Sequence, residues 1–143
     1  MDSSAVLINP YNPTNKYLTR EFIESKLGFK IHNLDIYQNA FIHKSYCKDI
    51  EAYTTNQDGD KVTYIDCPSD CIELQEQSNE RLEFLGDSIL GGAVTSYLYR
   101  RYDKDEGFCT KLKTKLVNSE TLARLSTYRG LSEYLMISKH IEE

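Results

Sequence analysis

The segment that decides the fold is Asn79-Glu80-Arg81-Leu82-Glu83-Phe84-Leu85-Gly86-Asp87-Ser88-Ile89-Leu90. At about 100° per residue, one stripe of a helix built from it is apolar and comprises Leu82, Leu85, Ile89 and, just beyond the segment, Ala93. Its acids lie within roughly 60° of one another, away from that stripe, and they are Glu80, Glu83 and Asp87. The spacing therefore predicts an amphipathic helix with one buried face and one column of carboxylates.

The column of carboxylates has two explanations. Acids three or four residues apart repel each other on a helix surface, so a stack of three acids suggests a nearby cation such as a divalent metal. Alternatively, the acids form a solvated face near a helix N-terminus, where the helix dipole favours negative charge. Spacing alone favours the solvated face.

The bulk properties describe an ordinary globular chain. Its 143 residues are sufficient for one domain with a real core. A net charge of -5 argues against broad, nonspecific binding of nucleic acid. The charge is unevenly distributed, with nine acids and two bases in residues 47–80 but eight bases and four acids in residues 98–129. A nucleic-acid contact would therefore use the second region.

Cellular location and cysteine chemistry follow from two further features. The apolar run at residues 5–8 is too short for a signal peptide or a membrane span, so we expect an intracellular, cytoplasmic protein with no membrane partner. The four cysteines are then expected to be reduced thiols. A zinc site remains an alternative, because two pairs of soft ligands are spaced i,i+4: His43 with Cys47, and Cys67 with Cys71.

Local signals predict the elements of the N-terminal half. Residues 1–18 are expected to form an irregular arm. Thr19 is the predicted N-cap of a helix that runs to Leu27 and is stopped by Gly28. Its buried side is expected to contain Phe22, Ile23 and Leu27. Asn33 is the predicted N-cap of a second helix, whose shared face contains Leu34, Tyr37 and Phe41.

Residues 47–78 differ in character from the rest of the chain. β-Branched and aromatic residues at 52–55 and 61–65 flank the turn-forming residues 56–60. This pattern predicts a small β-hairpin at about 51–66.

The remaining helices follow the opening segment. Its helix is predicted to run to about Tyr102, and Thr110 is the predicted N-cap of the next helix. Asn118 or Ser119 can cap a further helix, which Gly130 ends. One face of the middle helix aligns Lys111, Lys115 and Asn118. That face is the best local candidate for phosphate contact, although a solvated basic face is the commoner explanation of such a pattern.

Together these segments resemble the ribonuclease III family. Residues 79–90 look like the signature segment of that family, nearly letter for letter. Three companions occur in the same order as in the family, namely residues 40–46, 111–123 and 130–135. The resemblance covers about residues 20–140.

The resemblance implies an all-α endonuclease domain that works as a homodimer. It implies cleavage of double-stranded RNA with Mg²⁺, for which Mn²⁺ can substitute, and products with 5′-phosphate ends. Glu83 and Asp87 correspond to two of the family's catalytic metal-site carboxylates, and Glu80 to an acid nearer the dimer contact. Phe84 lies only about 40° from Glu80 on the helix, so we expect a partner subunit to cover it.

The chain departs from the family in two respects. Neither the family's second acidic pair, in an Asp-x-x-Glu-Ala pattern, nor its double-stranded-RNA-binding domain occurs in this sequence. We therefore expect residues 19–143 to be a C-terminally truncated and inactive part of the domain; the alternative is a noncatalytic dimer that binds RNA or has a structural role. In addition, the 32 residues 47–78 form an insertion longer than the usual connection.

Overall fold

The structure is a computed structural model that describes residues 6–48, 59 and 62–142. These residues are mainly helical, which confirms the predicted fold class. The α-helices are α1 (Arg20–Leu27), α2 (Leu34–Ala40), α3 (Glu80–Arg101), α4 (Glu106–Leu116), α5 (Ser119–Tyr128) and α6 (Lys139–Glu142). Short 3₁₀ helices lie at Lys44–Tyr46 and Leu131–Tyr134, and the strands are β1 (Val6–Ile8) and β2 (Val62–Tyr64).

The chain is divided into two compact units. The first unit contains Met1–Asn79 and Tyr134–Glu143, and the second unit contains Glu80–Glu133. In the described part of the chain, no helix has both the length and the apolar character that crossing a bilayer requires.

The predicted caps of the first unit are confirmed. The Thr19 hydroxyl accepts a hydrogen bond from the Phe22 N–H at 3.2 Å, which satisfies a donor that the first turn of α1 leaves open. Gly28 ends α1 at φ 79°, a left-handed conformation that glycine adopts without steric cost. Asn33 caps α2 in the same way by accepting from the Asp35 N–H at 3.0 Å.

Two apolar clusters form the core of the first unit. One cluster is built on Leu18, Ile23 and Ile31, with side chains of both early helices packed against it, including Phe22, Leu34, Tyr37 and Phe41. The other is built on Tyr11, Ile42, Tyr46, Leu74 and Met136. Leu27 was predicted to be buried but is 37% exposed, because it lies at the end of α1, beyond the cluster around Ile23.

Residues distant in sequence are hydrogen-bonded within this unit. The His43 N–H donates to the Met136 carbonyl at 2.9 Å, and the Ser138 N–H donates to the Ser45 hydroxyl at 3.0 Å. Asn12, only 1% exposed, donates its amide to the Ile137 carbonyl. The stretch from Met136 onward is thereby attached to residues of the N-terminal half.

The strands correct the prediction of an irregular arm at residues 6–8. Residues 6–8, expected to be irregular, form β1, which pairs in parallel with β2 in the register Val6↔Val62 and Ile8↔Tyr64. Strand β2 lies within the second predicted strand of the hairpin, residues 61–65, and its partner in this parallel pair is far away in sequence. Residues 52–55, the predicted first strand, lie outside the described residues.

The second unit contains α3, α4 and α5. Helix α3 has 22 residues and ends at Arg101, close to the predicted end. Helix α4 starts earlier than predicted: Asp105, not Thr110, is its N-cap, and the Asp105 carboxylate accepts from the Phe108 N–H at 2.9 Å. Asn118 caps α5 as predicted, and Gly130 follows that helix at φ 72°.

The predicted core stripe of α3 is largely exposed. Leu82 is half-buried, but Leu85 is 55% exposed and Ile89 is 62% exposed. Leu98, near the other end of the helix, is fully buried. Helix α3 packs against α4 in this unit, and its apolar side chains occupy more of its circumference than one neighbouring helix can cover. The prediction of a buried Leu85–Ile89–Ala93 face is therefore wrong for this structure.

Candidate functional site

Glu83 and Asp87 lie one turn apart on α3. Both side chains are exposed, and four residues of helix separate them by about 6 Å along the axis. Within the described residues, neither carboxylate is paired with a cation. The predicted column therefore leaves two carboxylate groups open to solvent on a rigid helix.

These carboxylates fit part of a magnesium site. Mg²⁺ prefers oxygen ligands and keeps several bound waters, so proteins commonly supply only one or two carboxylate ligands to this ion. The exposure of Glu83 and Asp87 leaves space for such waters. In residues 6–48, 59 and 62–142, no group of three or more His, Cys, Asp or Glu side chains is arranged to hold a metal ion. The described residues thus offer two carboxylate ligands at this position.

Glu80 and Phe84 lie on the same part of α3. Glu80 is the first residue of the helix, where the dipole stabilises an acid whatever its other role. Phe84 is 81% exposed, an unusual position for a large aromatic ring in a soluble protein. The Phe84 side chain is therefore open to contact from outside the chain, and its coverage by a partner subunit stays a prediction.

The predicted basic face on α4 is only partly available. Lys111 and Lys115 are exposed. The Asn118 side chain accepts from the Thr121 N–H at 2.9 Å and donates to the Thr114 and Lys115 carbonyls at 3.1 and 3.2 Å. Asn118 therefore has a structural role as the cap that joins α4 to α5, and the two lysines are the stronger candidates for phosphate contact.

The residues of the alternative zinc site have other contacts. The Ser45 N–H donates to Nδ1 of His43 at 3.1 Å, so this imidazole caps the short 3₁₀ helix. Cys67 and Cys71 are half-buried free thiols beside the second apolar cluster. Burial raises the pKa of both thiols, and the Asp70 carboxylate adds to the rise at Cys71. Raised pKa values disfavour the thiolate that zinc binds.

A group of exposed side chains in the C-terminal half of α3 was not predicted from the sequence. Tyr97 is 58% exposed and Tyr99 is 83% exposed, and Arg100 and Arg101 are exposed beside them. The i,i+3 and i,i+4 spacing of these residues with Ala93 and Ser96 is the signal that could have identified them.

The described residues form a mainly helical fold in which α3 presents an exposed pair of carboxylates. A family model described as Ribonuclease-III-like matches residues 33–143, and the chain belongs to that family. The predicted resemblance is confirmed.

Individual relatives agree with this assignment. The chain is 52% identical over 120 residues to Ribonuclease 3 of Methylococcus capsulatus. This alignment covers 83% of the chain and 40% of the Methylococcus capsulatus protein. It is 37% identical over 140 residues to "Probable ribonuclease 3" of Acanthamoeba polyphaga mimivirus. This alignment covers 92% of the chain and 24% of the viral protein. The chain thus spans a minor part of the curated relatives it matches.

A solved structure supports the fold. The nuclease domain of ribonuclease III from Campylobacter jejuni matches with a TM-score of 0.62 at 25% identity, covering 87% of this chain and 68% of that one. That domain is described as flexible in a region involved in dimer formation.

Proposed function

We propose that this chain forms part of the nuclease domain of an endoribonuclease that hydrolyses double-stranded RNA with Mg²⁺. The observation that carries the proposal is the exposed pair Glu83 and Asp87, one turn apart on α3 in a chain of the ribonuclease-III-like family. Relatives named Ribonuclease 3 support the reaction class.

The chemistry assigns a simple task to these side chains. Glu83 and Asp87 would hold Mg²⁺, or Mn²⁺ in its place, through their carboxylate oxygens. The ion supplies a water of lowered pKa and stabilises negative charge on the oxygens of the scissile phosphate. The helix fixes the direction of both carboxylates, and their exposure lets an RNA backbone approach them.

Recognition of the RNA would use shape and not base sequence. The minor groove of an A-form duplex presents phosphates and 2′-hydroxyls, which lysine side chains can contact. The exposed ammonium groups of Lys111 and Lys115 on α4 are suited to phosphate contact, with the cap residue Asn118 beside them.

The active form would be a homodimer in which Glu80 and Phe84 lie at the subunit contact. The support is the 81% exposure of Phe84, since a large exposed aromatic ring commonly marks an interface. The Campylobacter jejuni nuclease domain also has a region involved in dimer formation. These 143 residues contain no Asp-x-x-Glu-Ala segment, so we expect the chain alone to cleave RNA weakly or not at all.

The test combines metal binding with cleavage. Mn²⁺ binding to the chain is followed by electron paramagnetic resonance in wild type, Glu83→Gln, Asp87→Asn and the control Asp103→Asn, which removes an exposed acid outside α3. We expect both α3 variants to lose at least about tenfold in affinity, since each loses one of two charged ligands, and the control to bind like wild type.

Cleavage of a labelled RNA duplex is then measured for the chain and for any longer protein that contains it. Each α3 variant should abolish Mg²⁺-dependent cleavage while duplex binding without metal persists. Normal cleavage by either variant would refute the assignment of these residues. Duplex binding by a wild-type chain that does not bind Mn²⁺ would instead support the noncatalytic alternative.

A further inference from the structure

The C-terminal half of α3 carries a second surface with its own chemistry. The residues of this surface, named below, share one side of the helix because they are three or four positions apart in the sequence. They line an open groove of about 390 Å³ and comprise Ala93, Ser96, Tyr97, Arg100 and Arg101. We call the last four of these residues the donor stripe.

The donor stripe is rich in hydrogen-bond donors. Serine and tyrosine hydroxyls and both guanidinium groups can donate, and the groove lining contains no carboxylate. In the described part of the chain, neither Arg100 nor Arg101 is paired with an acid. A ligand made of acceptors and negative charge, such as a phosphodiester backbone, is complementary to this surface.

A purely structural explanation accounts for only part of the surface. Cations in the last turn of a helix offset the partial negative charge of its carbonyl groups, which explains arginines at these positions. It does not explain why Ser96 and Tyr97, the latter 58% exposed, share their stripe. The Arg101 guanidinium also lies 5.3 Å from the ring centroid of Tyr102, a cation–π contact that limits its freedom before a ligand binds.

The position of the donor stripe relative to the carboxylates follows from helix geometry. Helix α3 is continuous from Glu80 to Arg101. Arg101 follows Glu83 by five full turns, so both side chains point to nearly the same side, about 27 Å apart along the axis. Arg101 is about 21 Å from Asp87 by the same measure. An RNA strand that follows α3 from the carboxylates would bring later phosphates to the donor stripe.

We propose that Ser96, Tyr97, Arg100 and Arg101 bind the phosphate and 2′-hydroxyl backbone of an RNA duplex, remote from the carboxylate pair and without metal. This inference rests on the proposed function, since it takes the same ligand. It assigns the two ends of α3 to separate tasks: the N-terminal acids bind RNA only through a cation, whereas the C-terminal donors bind it directly.

The experiment measures binding of a fluorescein-labelled RNA duplex by anisotropy in EDTA at several salt concentrations. The test variant is Arg100→Gln/Arg101→Gln. The control variant, Lys30→Gln/Lys139→Gln, changes the net charge equally at exposed sites in the first unit. We expect the test variant to bind about tenfold more weakly and to lower the salt slope by about 1 per arginine, with the control within about twofold of wild type.

A milder variant separates contact from net charge. Tyr97→Phe removes one hydroxyl and no charge, and we expect about two- to threefold weaker binding without a change in the salt slope. Circular dichroism of every variant should match wild type, because the substituted side chains are exposed.

The outcomes distinguish this inference from the proposed function. A wild-type chain that does not bind duplex RNA in EDTA would overturn the donor stripe, whereas Mn²⁺ binding and Mg²⁺-dependent cleavage test the proposed function. Normal binding and an unchanged slope in the test variant would overturn the donor stripe alone. Equal weakening by the lysine control would also overturn it, because the effect would then reflect total charge.

Discussion

Replacing Phe84 by alanine tests whether α3 forms the subunit contact. Fully burying a phenylalanine side chain stabilises a protein by about 1.5–3 kcal/mol. Because Phe84 is 81% exposed in the single chain, a partner could still contribute about 2 kcal/mol of this burial. A two-fold symmetric contact uses the residue twice, so Phe84→Ala should weaken dimerisation by about 4 kcal/mol, or roughly a thousandfold.

Sedimentation velocity over a range of protein concentrations measures the dimer dissociation constant directly. Tyr99→Ala is a matched control, since it truncates another aromatic ring of α3 that is 83% exposed. The unfolding free energy of Phe84→Ala should remain within about 0.5 kcal/mol of wild type when both are measured at concentrations that keep them monomeric. An unchanged dissociation constant, or an equal effect of Tyr99→Ala, would refute the reasoning.

Two further predictions concern local chemistry. Asp105→Ala should lower the free energy of unfolding by about 1 kcal/mol, because the Phe108 N–H loses its capping acceptor. Thr110→Ala should change it by less than about 0.5 kcal/mol. Urea denaturation measures both variants, and equal effects would contradict the observed start of α4. Burial and the Asp70 carboxylate raise the pKa of Cys71, so the thiolate fraction of this residue is small at neutral pH. Alkylation of Cys71 by iodoacetamide, measured by peptide mass spectrometry, should therefore become faster as the pH rises. At a fixed pH, Asp70→Asn should also make alkylation faster. Equal rates with and without Asp70 would exclude its contribution to the pKa.

The sequence predicted interactions that lie within a few residues of each other. Thr19, Asn33 and Asn118 cap helices as expected, because the capping side chain and its N–H donor are two or three positions apart. Asp105 shows the limit of this reasoning. Both Asp105 and Thr110 have side chains that can cap a helix, and their sequence context did not identify which one would.

Interactions between distant residues were less predictable. The segment around Val62 has the composition expected of a strand, but the partner residue Val6 lies far away in the chain. Strand propensity does not specify which segment a strand pairs with. The exposure of Leu85 was also missed, because helical periodicity shows which side chains share a face but not whether another element covers it.

The candidate site was predicted unevenly for the same reason. Spacing placed Glu83 and Asp87 on one side of a helix, and the structure has them there with both side chains exposed. Asn118 was predicted to share one helical face with Lys111 and Lys115, but α4 ends at Leu116 and Asn118 has an extended backbone. Its amide hydrogen-bonds the backbone at the helix junction. The role of each residue in metal, RNA or subunit binding stays a prediction.

The hydrogen bonds that join His43 to Met136 and Ser45 to Ser138 have a consequence for biosynthesis. These contacts require the chain beyond residue 135, so the first unit cannot be completed until all of residues 80–133 have been translated. At about 5–20 residues per second, the ribosome needs roughly 3–10 s for that stretch. During this interval the N-terminal half lacks Met136, a fully buried member of its core, and offers an unfinished apolar surface to chaperones.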